Sequence, residues 1–422
     1  MASFKKIFWI NVIIVIIVAF NLRAPITAVG PIIDIIKDKY YLNSTVAGIL
    51  TSLPLIAFGG ISFIVGYFSP IRAIVFGIFL IFLGEIIRSY FGVYGLFLGM
   101  LAMGCGIAIA NVLLPSFIKE KFPKKMASIM GIYSLVLSIS SIIGIALAIP
   151  LLSVFDLAGA MFFWAIFSFV ALVVYYPQAK NGRFFRIKKK AHKKINLFIN
   201  LTTWKITLFM GFQSFLAYSL FFWYVQIVVE KGFDKEFSTS MVLFAQLVAA
   251  PVSLFGPLLL GKLRQNLHTF YIAGLCSMYV IAFGMLFIFD SKISIIISAF
   301  IMGFPWGGVF GIALLFIAQK SSNAQIAARL SALAQGFGYL IAAQGQWISG
   351  FLTVIFENFY FAFFMFFFFV LFVFFIFVID FFFFFYFFIF CFFAKPFFSS
   401  SFLFLSLFTI SLSHTRSEIS FD

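Results

Sequence analysis

Long apolar runs alternate with short polar breaks along most of this chain. A helix needs about 20 apolar residues to cross roughly 30 Å of hydrocarbon. Runs of that length fall at about 8–29, 47–67, 71–91, 94–117, 127–150 and 156–176. A polar, basic stretch follows from Gln178 to Asn200. Six more runs lie at about 204–229, 238–260, 269–289, 293–318, 326–355 and 358–379. The pattern predicts an all-α membrane protein with twelve transmembrane helices. Its expected organisation is a six-helix half at 1–177, a basic cytoplasmic linker at 178–203, a second six-helix half at 204–380 and a Phe-rich tail at 381–422.

The placement of charge tests that count independently, because cytoplasmic loops collect Lys and Arg. With the N-terminus inside, Lys5, Lys6, Arg72, Lys119, Lys121, Lys124, Lys125, Lys262, Arg264, Lys320 and Arg329 fall on the cytoplasmic side. The central loop adds Lys180, Arg183, Arg186, Lys188, Lys189, Lys190, Lys193 and Lys194. The outer side holds six basic residues, Lys37, Lys39, Arg88, Lys231, Lys235 and Lys292, and most of the loop acids. A miscounted span would scramble this alternation, so both termini are expected in the cytoplasm.

Composition narrows the class. The 422 residues are 64% hydrophobic and 10% charged, with a mean hydropathy of +1.16. A soluble domain is about half apolar and about a quarter charged, and disorder requires low hydrophobicity. The net charge of +16 reads as cytoplasmic loop bias and contact with anionic lipid, not as nucleic-acid binding. Cys105, Cys276 and Cys391 lack the spacing of a disulfide framework or a zinc site. The first apolar run carries Arg23 and no small-residue cleavage site, so no cleavable signal is expected. No HExxH, GxSxG or phosphate-binding Gly-rich motif is present, and His192, His268 and His414 lie in loops or the tail. The chain reads as no enzyme, with no cofactor and no metal.

Polar groups inside the spans are the functional candidates, since a charge at membrane depth is costly. Arg23 lies about 15 residues, roughly 22 Å, from the inner end of span 1. It shares a helix face with Thr27, and Pro25 between them is expected to kink the span. Glu85 and Arg88, three apart in span 3, can pair on one face as a local pair at the outer rim. Glu85 is the candidate for a coupling proton. Spans 1, 4, 7, 10 and 11 contain no Asp or Glu. A positive cavity favours an anionic or strongly dipolar solute. The neutral inventory is Asn21, Asn111, Tyr133, Gln213, Tyr218, Gln226, Gln246, Trp306, Gln335, Tyr339, Gln344 and Gln346. Such groups also serve as ordinary interhelical hydrogen bonds. Gln335 and Tyr339 share a face by their spacing. The stretch Phe304-Pro305-Trp306-Gly307-Gly308 can break span 10.

Four motifs then carry a resemblance. Asn21-Leu22-Arg23-Ala24-Pro25-Ile26-Thr27-Ala28-Val29-Gly30-Pro31 resembles the span 1 signature of the cyanate permease and 2-nitroimidazole transporter family. Gly48-Ile49-Leu50-Thr51-Ser52-Leu53-Pro54 is similar to the start of its span 2. Asn111-Val112-Leu113-Leu114-Pro115 followed by Ile118-Lys119 is similar to its span 4 exit, and Ser331–Gln335 with Gly338–Ala343 to its span 11. The likeness covers about residues 8–355. It departs at Gly66-Tyr67-Phe68-Ser69-Pro70-Ile71-Arg72, where the superfamily pattern has an acid, and at Gly345-Gln346, where Gly-Pro is usual.

That family belongs to the major facilitator superfamily. The resemblance implies the major facilitator fold, two six-helix halves rocking about a central site, and solute movement driven by a gradient. The expected substrate contacts are Arg23, Thr27, Asn111, Gln213, Tyr218, Gln335 and Tyr339. The expected setting is a multi-pass monomer in the lipid bilayer of a bacterial cytoplasmic (inner) membrane, with a small-molecule substrate. Two alternatives stand beside the anion transporter: an exporter of neutral or aromatic drugs such as nitroimidazoles, and a non-transporting sensor or inactive remnant. The second is prompted by the tail. Of 69 phenylalanines, 28 lie within 356–408, in runs such as Phe366–Phe369 and Phe381–Phe385 without helical period. That region reads either as a genuine twelfth span with a membrane-embedded tail or as the product of a frame change.

Overall fold

The computed structural model describes residues 2–42, 44–180, 197–198, 200–356 and 368, and the regular elements among them are helices. Span 1 consists of α1 (Ala2–Asn21) and the short α2 (Ala24–Thr27), followed by a 3-10 turn and α3 (Ile33–Tyr40). Then come α4 (Ser44–Val65), α5 (Pro70–Tyr90), α6 (Gly92–Lys121) and α7 (Met126–Val154). Span 6 is split into α8 (Leu157–Phe162) and α9 (Ala165–Ala179). After the linker follow α10 (Leu201–Glu230), α11 (Lys235–Lys262), α12 (His268–Ile288), α13 (Lys292–Gln319) and α14 (Ala324–Phe356). Among the described residues, nine stretches are long and apolar enough to span a membrane, and a tenth if the two parts of α10, bent by 45°, are one span. The apolar part of α4, Ile49–Val65, is shorter. All of this belongs to one unit of the chain, Met1–Ile379. Most of the expected linker, the twelfth span at 358–379 apart from Phe368, and the tail lie outside the described residues.

The break in span 1 sits where its sequence demands. Pro25 has no N–H, and its ring excludes a regular helix through the preceding turn. Arg23 accordingly leaves the helical region, with φ −126° and ψ −50°. A side chain of α7 bridges the gap: Ser140 Oγ donates to the Phe20 carbonyl at 2.5 Å and accepts from the Ala24 N–H at 2.9 Å. Span 10 behaves differently. The break that the Pro305 stretch could make does not occur, and α13 runs unbroken from Lys292 to Gln319. Its glycines serve packing instead. A Cβ on Gly307 would lie 2.1 Å from the Ala249 carbonyl of α11, and one on Gly311 would lie 2.6 Å from Ser134 Oγ of α7.

Small residues also set α5 against α6. A Cβ on Gly106 would come within 2.3 Å of the Gly77 carbonyl, and one on Gly84 within 2.6 Å of the Gly99 carbonyl. Such close backbone approach is how membrane helices associate, because lipid supplies no hydrophobic drive between them. The motif loop without an acid has another use for its arginine: Arg72 Nε and Nη2 donate to the Ala179 and Lys180 carbonyls at 3.1 and 2.7 Å. These carbonyls close α9, where a cation suits the helix dipole.

The two halves meet mainly along α7 against α11 and α4 against α14, with α6 and α7 also touching α14 and α13. Cross-half ties gather toward the end that carries the basic connections. Lys119 Nζ donates to the Ala318 carbonyl at 2.6 Å, and Ser116 Oγ to the Ala324 carbonyl at 2.5 Å. The Arg329 guanidinium lies 5.2 Å from the Tyr67 ring centroid.

Candidate functional site

Farther from that end a cavity of about 160 Å3 lies between the halves. Arg23 and Thr27 enter it from span 1, Ser134, Ser138 and Ser141 from α7, and Gln213 and Tyr218 from α10. Gln246 and Ser253 enter from α11, and Trp306 and Phe310 from α13. The lining is thus one cation, a set of hydroxyls and amides, and aromatic walls.

Arg23 is the centre of this chemistry. Its Nη1 donates to Tyr218 Oη at 2.5 Å, a bond from one half to the other. Its guanidinium carbon lies 5.7 Å from the Tyr218 ring centroid and 5.8 Å from that of Phe310. Cation–π contact of this kind is worth about 0.5–2 kcal/mol. It offsets part of the desolvation cost but does not neutralise the charge. Among the described residues no carboxylate forms an ion pair with Arg23. Thr27 Oγ1 donates back to the Arg23 and Ser141 carbonyls at 3.1 and 3.2 Å, which ties the α2 turn to α7. Two polar atoms of the lining residues are unspent: Ser134 Oγ and Gln246 Nε2 are buried with no hydrogen-bond partner among the described residues. Gln213 is buried and spends its amide N–H on Ser214 Oγ at 2.6 Å.

Four of the seven residues expected at the site line the cavity: Arg23, Thr27, Gln213 and Tyr218. Asn111, Gln335 and Tyr339 do not. They form a buried layer beside it. Tyr133 donates its hydroxyl to Asn111 Oδ1, and Gln335 Nε2 donates to the Asn111 carbonyl at 3.3 Å and to Ser331 Oγ at 2.8 Å. The Tyr339 ring lies 4.0 Å from Phe58 and 6.0 Å from Tyr218, centroid to centroid. This layer joins α6, α7 and α14.

Glu85 stands apart from the cavity. It and Arg88 are both wholly buried in the N-terminal half, and among the described residues no ion pair joins them directly, unlike the expected pair at the outer rim. Ser168 donates to Glu85 Oε2 at 2.5 Å, while Arg88 donates to backbone carbonyls of spans 1 and 6. The guanidinium forks toward carbonyls because each broken span leaves one available. The serines of α7 escaped the sequence reading. Ser134, Ser138 and Ser141 follow a spacing of four and then three, which places them on one helix face. That stripe was visible, but serine is too common in apolar helices to stand out without the cavity.

The comparisons with known proteins agree with this architecture. The profile described as Major Facilitator Superfamily matches residues 12–345. An uncharacterized transporter, YycB of Bacillus subtilis, is 33% identical over 356 residues, covering 82% of this chain and 88% of the relative. The 2-nitroimidazole transporter of Escherichia coli is 32% identical, with 80% and 86% covered, and its cyanate transport protein CynX is 25% identical, with 82% and 91% covered. Among solved structures, the proton:xylose symporter XylE superposes with a TM-score of 0.71 at 11% identity, covering 89% of this chain and 95% of the other. FucP in its outward conformation superposes with a TM-score of 0.64 at 14% identity, with 84% and 94% covered. At these identities the two structures speak to the fold alone.

Proposed function

The chain belongs to the Major Facilitator Superfamily, and from that membership we propose that it is a gradient-driven secondary transporter of a small anionic or strongly dipolar solute. It is a multi-pass membrane protein of a family of transporters, not of enzymes. The proposal adds the solute class, the coupling and the setting: a monomer in a bacterial inner membrane that binds a small molecule and no nucleic acid. The observation that carries it is Arg23, a cation facing the cavity with, among the described residues, no carboxylate paired to it. Arg23 is half-buried; a cation largely withdrawn from water without a counter-ion is costly, and an anionic solute would supply that counter-ion.

In this reading the solute takes the guanidinium from Tyr218, and the serine stripe with Gln246 orients it. Because Arg23 belongs to one half and Tyr218 to the other, the exchange touches the joint about which the halves would rock. The buried layer of Asn111, Gln335 and Tyr339 would then support the site from behind. Glu85 is enclosed away from the solute, so any coupling through it would act at a distance.

A second reading, export of a neutral aromatic compound, is favoured by the Trp306, Phe310 and Tyr218 walls and by the name of the 32% identical relative. A thermal-shift panel on purified protein separates the two, since a ligand that binds only the folded state raises the midpoint. Cyanate and 2-nitroimidazole are compared on the parent and on Arg23→Gln. The expected outcome is a shift with the anion that vanishes in the variant. A charged hydrogen bond is worth about 1.5–3 kcal/mol, so binding should weaken about 10- to 150-fold. A shift with 2-nitroimidazole alone, equal in both proteins, would select the second reading.

A further inference from the structure

The two broken spans of the N-terminal half leave backbone carbonyls exposed to other donors. In span 1 the Val29 N–H turns back to the Ile26 carbonyl, which leaves Pro25 O open. In span 6 the break falls between Phe162 and Ala165, and among the described residues no backbone N–H reaches across it to Met161 O. A free carbonyl at membrane depth is unfavourable by several kcal/mol. One side chain fills both. Arg88 of α5 is wholly buried, and donates from Nη1 to Pro25 O at 2.8 Å and from Nη2 to Met161 O at 3.2 Å. Glu85 lies one turn earlier on the same helix and is anchored by Ser168 of α9. It supplies the compensating charge without taking either of those two donors.

The turn that Arg88 grips is the turn that carries Arg23. The Arg23 carbonyl accepts from the N–H groups of Ile26 and Thr27, so α2 moves as one unit with it. Neither Arg88 nor Glu85 lines the central cavity. We infer that Arg88 is a positioning residue: by filling the carbonyls opened at both breaks it fixes the α2 turn, and so the direction in which Arg23 presents its charge. This rests on the reading of Arg23 as the solute's counter-charge. A planar fork is required, because two separated carbonyls must be met at once. Lysine keeps the charge opposite Glu85 but offers a single point.

The test needs no solute. In a background with Cys105, Cys276 and Cys391 replaced by serine, Ser138→Cys puts a thiol in the cavity. Its labelling rates with an anionic and a cationic methanethiosulfonate reagent report the local potential. The parent should favour the anionic reagent, and Arg23→Gln should abolish the preference. Arg88→Lys and Glu85→Gln should each reduce it several-fold. Ser168→Ala, which only loosens Glu85, should reduce it least and decides the matter should the other two not fold. A lowered melting midpoint with an unchanged rate ratio in these variants would overturn the inference and leave Arg88 a purely structural group. A ratio that Arg23→Gln does not move would instead sink the reading of the cavity.

Discussion

Arg23 spends one of its donors on a phenol across the interface, and that choice has a measurable consequence. Tyr218 Oη holds Arg23 Nη1 at 2.5 Å, and among the described residues no carboxylate is paired to it. Tyr218→Phe removes the partner and leaves a half-buried charged donor short of a bond, a loss of about 1–3 kcal/mol. The melting midpoint of the empty protein should fall. An anion that replaces the phenol would restore the bond, so the ligand-induced shift should grow. A smaller shift than in the parent would place the Tyr218 hydroxyl on the solute itself. At this scale the sequence revealed the charge more clearly than its surroundings. Arg23 and the absence of acids in five spans were plain. Which neutral groups join it was not, because Asn111, Gln335 and Tyr339 share every local property of a cavity residue yet pack into the layer beside it. Only the angle at which α6, α7 and α14 cross decides that, and no single helix encodes a crossing angle.

Helix positions divide into those where a backbone passes and those where nothing does. Gly106 of α6 and Gly77 of α5 approach so closely that an added Cβ would lie 2.3 Å from a carbonyl oxygen. Gly106→Ala must push the helices apart, and overpacking of this kind costs about 1–3 kcal/mol. Gly274 of α12 has no atom within 4 Å of its would-be Cβ. Gly274→Ala should stabilise by about 0.4–1 kcal/mol by restricting the unfolded chain. Melting of the two variants in the same detergent checks both signs at once. The element scale was the most legible. Hydrophobic run lengths placed each described span to within a few residues, and Pro25 announced the break in span 1. The Pro305 stretch allowed a break that is absent. The difference lies in the neighbours: at Pro25 the Ser140 hydroxyl and the Arg88 guanidinium take over the freed groups, whereas Gly303, Gly307 and Gly311 seat α13 against α11 and α7 as an unbroken rod.

The two halves are tied toward the end that carries the basic loops, and under the proposed alternating access these ties set which way the molecule opens. Lys119 Nζ, from α6, closes on the Ala318 carbonyl near the end of α13, and Ser116 Oγ on the Ala324 carbonyl at the start of α14. Alternating access requires these bonds to break when the cavity opens to that end. A charged hydrogen bond contributes about 1.5–3 kcal/mol, enough to shift a two-state equilibrium about 10- to 150-fold. Lys119→Met should therefore populate a form open at the basic end. Spin labels at Lys124 and Ser322, exposed on opposite halves, should show a second, longer distance in the variant that is minor in the parent. An anion that draws Arg23 from Tyr218 should change the same distribution, because that bond and the Lys119 tie both cross the joint between halves. If Lys119→Met leaves the distances as they were, closure is held by the packed faces of α4 on α14 and α7 on α11. The rocking step would then have to peel those faces apart before any single tie mattered.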